Sequence, residues 1–473
     1  MAHAATMTQI SPALRKKVLK VLFTSLLLDL ISFTFILPLF PKLLEFYRDH
    51  EAAQHHASPT ILGNILAGLN HYKNSFAKPI NDRYDIVLLG GALGSLFSFL
   101  QAIASPIIGT LSDKYGRRTA LLWSMAGNIL SVALWVAATD FRTFLASRVV
   151  GGLSEGNVQL AMAIATDISD ESQRGATMAL VGVCFSIAFT FGPALGAWLS
   201  TITSIAANPF ASAAAFSLFL ILTETVYLYF CLPETLPTAA TYTNGSAKTN
   251  ANANANEHAN GHANGQARVN GSAKGADKQP LVRTNSHTLL NATHFFFILF
   301  FSGMEFSLPF MTYDLFSFGS KDTGKLLGFI GLIASLLQGS VVRRTHPLRV
   351  VQMGVVSCTI AFFILGQATT QKGLYAAAAL LAVTSATVVT GLNSLSSFEA
   401  SAGERGNKLG NHRSFGQIGR SLGPLIFCTL YWWAGRETAY AAGATGMIAV
   451  CGLVFGGLKV PAGTEMVGKK RVK

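Results

Sequence analysis

The residues of this chain that could do chemistry are ionisable side chains standing inside apolar runs. Asp29, Arg148, Glu155, Glu305 and Arg420 each lie among leucine, phenylalanine, valine, alanine and glycine. A charge in hydrocarbon is costly unless it is paired or hydrated, so such residues serve as proton carriers, ion-pair partners or ligand contacts. A carboxylate at membrane depth exchanges a proton as its hydration changes. Asp29 and Glu305 fit that use, or else a permanent ion pair with Arg148 or Arg420. The planar guanidinium of Arg420 suits bidentate capture of a carboxylate or sulfonate, or serves as partner to an internal acid. Arg148 and Glu155, seven residues apart, fall on one face of a helix, where Glu155 neutralises Arg148. Gln101, Asn157, Gln159, Gln338, Asn393 and Gln417 either line the same cavity or bond between helices.

Long apolar segments must position these groups. The chain has 473 residues, of which 50% are hydrophobic and 12% charged, against about 25% charged in soluble domains. Twelve apolar runs are long enough to span a bilayer, over 20–41, 85–109, 119–138, 142–166, 175–200, 210–232, 289–311, 323–342, 349–368, 373–397, 408–432 and 438–459. The first is too long for a signal-peptide core and reads as an uncleaved helix. The net charge of +13 comes from cations in short loops between apolar runs; this pattern marks a membrane-bound chain surrounded by lipid and excludes a nucleic-acid footprint. Lys and Arg concentrate in the N-terminal segment, the 110–118 loop, the central linker and the tail, which places both termini in the cytosol. The five cysteines lie inside apolar runs without metal-ligand or disulfide spacing, and no metal site is expected.

The organisation that follows is a cytosolic segment 1–19, a six-helix half over 20–237 and a linker over 238–288. A second half over 289–459 and a basic cytosolic tail over 460–473 complete the chain. A long outer loop, 42–84, holds an apolar patch at 61–66 read as a short helix on the membrane surface. The Asn/Ala-rich linker has little that could form a core and reads as disordered. The halves repeat: Arg174-Gly175 precedes Gly192-Pro193 by the same spacing as Arg405-Gly406 precedes Gly423-Pro424. Acids stand shortly before each pair, and Gly109-x3-Asp113 has an echo in Gly339-x3-Arg343. Such internal symmetry is a mark of secondary transporters.

Between the second and third runs lies Gly109-Thr-Leu-Ser-Asp113-Lys-Tyr-Gly116-Arg117-Arg118. This decapeptide resembles the signature loop of the major facilitator superfamily. Arg148-Val-Val-Gly-Gly152 is similar to the family's proton-coupling motif. Gly182 through Gly192-Pro193-Ala-Leu-Gly196 resembles its antiporter motif, with Ala197 where a glycine is usual. Pro233-Glu-Thr-Leu-Pro237 resembles the motif that closes helix six. Leu28-Asp29 ahead of Leu37-Pro38-Leu-Phe-Pro41 is similar to the tetracycline-exporter-like branch, and Phe301-Ser-Gly-Met-Glu305 to its eukaryotic members. The resemblance implies an all-α membrane protein with twelve transmembrane helices in two pseudo-symmetric six-helix halves. It implies that Asp113 latches the halves at the start of helix eleven, that Arg117 pairs with Asp167, and that the substrates are small organic anions.

The expected protein is therefore a monomeric carrier, not an enzyme, that needs no cofactor and draws on a proton gradient. A plasma-membrane location is the default, and an internal membrane, including the nuclear envelope, is compatible. Two other readings stay open. An uncoupled carrier would use Asp29 and Glu305 structurally, and a non-transporting scaffold or receptor would bind partners through the linker.

Overall fold

A computed structural model of the chain describes residues 11–34, 36–54, 60–75, 85–199, 210–236, 284–401 and 403–461. Its elements are helical: α1 (Pro12–Thr34), α2 (Ile36–Gln54), α3 (Ile61–Asn74), α4 (Asp85–Tyr115), α5 (Arg117–Ala137), α6 (Phe141–Ser154), α7 (Asn157–Asp167), α8 (Glu171–Leu199) and α9 (Ala211–Cys231). The second half holds α10 (His287–Phe316), α11 (Ser320–Ser340), α12 (Pro347–Gln367), α13 (Gln371–Phe398), α14 (Arg405–Ala434) and α15 (Arg436–Gly452). Among the described residues, nine helices are long and apolar enough to cross a membrane, and α1 with α2 makes a tenth as one bent span. Two further stretches fit the remaining positions of a twelve-helix count: α6 with α7, interrupted at Glu155 and Gly156, and α14, which carries Lys408, Arg413 and Arg420.

The first span departs from its expected bounds of 20–41. Helix begins at Pro12 and resumes after residue 35 as far as Gln54, into the segment read as outer loop. Packing explains the extension: Leu43, Leu44 and Tyr47 are fully buried, and the Tyr47 hydroxyl donates to Ala138 O at 3.2 Å. Farther along that loop, α3 starts on a Thr60 cap that accepts from Gly63 N at 2.9 Å, and it packs beside α4 and α6. The linker up to residue 283, residues 1–10 and tail residues 462–473 lie outside the described residues.

Each half has its own apolar core, one running from Val18 to Leu232 and the other from Leu290 to Leu458. Two narrow strips join them. Ala179 of α8 packs against Ala334, Val350 and Ala386, and Val87 of α4 against Phe306, Phe310 and Cys428. The sequence repeat is visible as a crossed pair of arginines. At the start of α14, Arg405 reaches Asp167 at the end of α7 at 2.9 Å. At the start of α8, Arg174 reaches the Ser397 carbonyl at the end of α13 at 3.5 Å, with its guanidinium over the Phe398 ring.

Within the halves, small residues let backbones touch. A Cβ added at Gly423 would meet the Leu299 carbonyl and Ser302 of α10, whereas one added at Gly339 would enter open space. Overpacking of this kind costs about 1–3 kcal/mol. Gly423→Val is therefore expected to lower the thermal unfolding midpoint in detergent, while Gly339→Ala leaves it no lower.

Candidate functional site

At one end of the molecule, the last turn of α4, the first turns of α5 and α14 and the end of α7 converge. Gly116, at φ +103°, turns the chain from α4 into α5, and a side chain there would strike Glu234. Glu234 accepts from the N–H groups of Arg117 at 2.8 Å and Arg118 at 3.1 Å, so a carboxylate caps α5 where its dipole is positive. Arg118 turns outward to the Tyr229 carbonyl at 2.6 Å. Arg117 is wholly buried and turns inward: it donates to Asp113 and Ser112 through Nη1 and to Asp167 through Nε, each at 2.7 Å. The Asp113 carboxylate also accepts from the N–H groups of Gly406 at 2.9 Å and Asn407 at 2.7 Å, both unpaired donors at the start of α14. Gly109 and Gly406 let the two backbones meet there, since a Cβ on either would collide with the other chain segment. Two acids, two guanidinium groups and a helix N-terminus thus meet across the two halves, with Arg117 Nη2 and Arg405 Nε left buried without a hydrogen-bond partner.

From this latch, α4 and α14 remain in contact toward the opposite end. Ser414 donates to Ala102 O at 2.6 Å and Ser421 to Ser95 O at 3.0 Å. An adjoining stripe of α14 carries Arg413, Gln417 and Arg420. Arg413 pairs with Glu155 of the other half at 3.8 Å, and Gln101 donates to Glu155 at 2.8 Å. Glu155 therefore does not share a continuous helical face with Arg148, as its spacing implies. The helix breaks at Glu155 and Gly156 after a run containing Gly151 and Gly152, residues with poor helix propensity. The Ser124 hydroxyl from α5 satisfies the freed groups, donating to the Ser154 carbonyl and accepting from Gly156 N at 2.8 Å. The break points Glu155 at Arg413 and lets Asn157 donate to Asp29 at 3.1 Å.

Asp29 is 6% exposed and lines a cavity of about 50 Å³ with Phe33, Phe97, Asn128, Arg148 and Glu155. That is room for a few waters. Arg148 spreads its guanidinium over Phe97 and Phe144 at 5.9 and 5.5 Å. Glu305 and Arg420 meet at 3.3 Å, the ion-pair alternative open to Glu305, and about half of each side chain's surface (52% and 44%) is free of protein contact. Of the other polar candidates, Gln159 donates to Ser105 O, and Gln338 accepts from Ser186 and donates to Ala386 O. Gly182 faces Gln338 and Thr390 of the second half, whereas Gly192 faces Thr34 within the first. Gly196 is buried, and the Pro193 side chain lies outside the described residues. Pro424 sits inside α14, which continues through it.

Sequence reasoning passed over Arg413, although it stands one heptad before Arg420. It also passed over Glu224, a lone acid inside the apolar run of α9. At the end away from the latch, α3 reaches the second half: the Tyr72 and Thr429 hydroxyls lie 2.6 Å apart. Burial holds the Tyr72 phenol above its ordinary pKa.

This architecture, a bundle of two similar halves latched through the loop after the second span, defines a secondary transporter. The family model described as Major Facilitator Superfamily matches residues 22–424, and the chain belongs to that family. It is a multi-pass integral membrane protein and a transporter rather than an enzyme. Major facilitator superfamily domain-containing protein 10 from Mus musculus is 33% identical over 457 residues, covering 96% of this chain and 95% of the relative. The Homo sapiens protein of that name is 34% identical, with 90% of each covered. Tetracycline resistance protein, class G, from Vibrio anguillarum matches 29% of this chain and 35% of its own length at 33% identity. Among solved structures, the human organic anion transporter MFSD10 (TETRAN) superposes with a TM-score of 0.79 at 31% identity, covering 94% of this chain and all of that one. The E. coli fucose:proton symporter shares the fold, with a TM-score of 0.65 at 11% identity over 93% of this chain and 98% of that one.

Removing one partner from a buried ion cluster costs about 3–5 kcal/mol, because the others stay buried and uncompensated. Asp113→Asn is therefore expected to slow transport several-fold while substrate affinity changes little. Initial-rate uptake and equilibrium binding on the same preparation check this.

Proposed function

We propose that this protein carries small amphiphilic organic anions across a membrane by alternating access, driven by a proton gradient. It acts as a monomer, with both termini in the cytosol and the plasma membrane as its location. The observation that carries the substrate class is the half-exposed Arg420–Glu305 pair. About half of each side chain is free of protein contact, so a substrate carboxylate or sulfonate can approach, displace Glu305 and take the guanidinium with two hydrogen bonds. Arg413 supplies a second cation two turns away on the same stripe. The description of the human relative as an organic anion transporter supports this reading.

Coupling rests on Asp29. It faces the cavity, is held by Asn157 beside the helix break, and acts electrostatically on Arg413 across the halves. Protonating Asp29 would remove one of the two charges that hold Arg413 against the first half, leaving Glu155 alone. The proton would thereby change how tightly the halves are joined at their centre.

Uptake of a fluorescent organic anion into proteoliposomes, with and without an imposed pH gradient, tests both parts. Arg420→Gln is expected to weaken apparent affinity by about tenfold to a hundredfold, the loss of a charged hydrogen bond. Asp29→Asn is expected to abolish the gradient's effect. Equal uptake of cationic and neutral dyes would contradict the anion reading, and wild-type uptake indifferent to the gradient would contradict coupling.

A further inference from the structure

A polar seam runs between α1 and α9 inside the first half. Ser32 and Ser217 exchange hydrogen bonds at one level. One turn toward the latch, Asp29 and Ile221 both line the cavity. One turn further, the Ser25 hydroxyl donates to Glu224 Oε1 at 2.7 Å. The three α1 residues and the three α9 residues follow helical spacing, so each level of the seam faces the next. Beyond Glu224 the seam ends: Val21, Leu22 and Leu228 are buried and seal it from the latch.

Glu224 is a carboxyl with no evident structural purpose. It is 1% exposed, its Oε2 has no hydrogen-bond partner, and among the described residues no cation lies within ion-pair distance. The elements around it offer none. Between Arg118 and its end, α5 carries no ionisable side chain. Beyond Arg174, α8 contributes only Cys184, whose thiol donates to Phe23 O. On α1, Asp29 is the one other ionisable group close enough to act on it, with the same sign of charge. An ionised carboxylate in that setting costs several kcal/mol, and two facing each other cost more.

We propose that Glu224 is a second proton-binding site of the first half, exchanging one proton with Asp29 along this seam and holding it while Asp29 is ionised. The transfer moves a proton and no electrons. The Asp29 O–H bond breaks and an O–H bond forms on Glu224; Ser25, one helical turn from Asp29 and hydrogen-bonded to Glu224, stands on the path between them. The pair thus keeps a proton inside the protein while Asp29 is free to act on Arg413. This deepens the proton-coupled reading above and rests on it.

The test compares wild type, Glu224→Gln and Ser25→Ala in proteoliposomes by gradient-driven accumulation and by counterflow at equal pH. Counterflow also serves as the control for folding. Glu224→Gln is expected to retain counterflow and lose about tenfold or more of gradient-driven accumulation, with Ser25→Ala intermediate. The infrared spectrum of wild type at neutral pH is expected to show a protonated carboxyl band that Glu224→Gln removes. Gradient-driven accumulation in Glu224→Gln equal to wild type overturns this proposal and leaves coupling standing. A wild-type protein that ignores the gradient overturns coupling and the second site together, and absence of the band overturns the site whatever the transport result.

Discussion

The structure depends on one carboxylate placed against the end of one helix. Asp113 belongs to the first half and the start of α14 to the second, and two backbone N–H groups of α14 point at its oxygens. A helix N-terminus carries a partial positive charge and donors that its own turns cannot use. Arg117 brings Asp113 and Asp167 together, and Arg405 returns from the second half to Asp167. The contact requires glycine on both sides, at Gly109 and Gly406, because any side chain would separate the helices.

The charges are graded along the axis. At the latch they are mostly buried and two acids face two guanidinium groups, which makes the contact dependent on every member. At the centre, Arg413 and Glu155 are mostly buried but 3.8 Å apart, a looser contact across the halves. Farther on, Arg420 and Glu305 meet at 3.3 Å with about half of each side chain free of protein contact, open to a ligand. A buried contact at one end, an adjustable one in the middle and a displaceable one beyond it is an arrangement that ligand or proton binding can bias. The broken helix at Glu155 and Gly156 permits this, since it points one polar residue at the other half and another at Asp29.

Much of this was legible in the sequence. Long apolar runs and a charged decapeptide with its glycines are local patterns, and the repeat of Arg-Gly with Gly-Pro marks the two halves. The extension of helix from residue 42 to Gln54 was not legible, because Lys42, Glu45, Arg48 and Asp49 read as solvent-exposed loop while Leu43, Leu44 and Tyr47 decide the packing. The break in the fourth span was hidden for a similar reason: its glycines are equally common in close-packed membrane helices. Arg413 differs from Arg420 only in which residue of another helix it meets, and that is settled by tertiary contacts. Glu224 was passed over as one more acid in an apolar run; that no cation among the described residues pairs with it appears only once α1, α5 and α8 are placed around it.

The central claim is that the latch between α4 and α14 opens and closes during transport. Spin labels at Lys114 and Lys408, on either side of the latch, measure this directly through their pairwise distance distribution. The account predicts two populations, one close and one several ångströms longer, whose ratio shifts when an organic anion or a change of pH is applied. A single unchanging distance under all conditions, in protein that still transports, would contradict it.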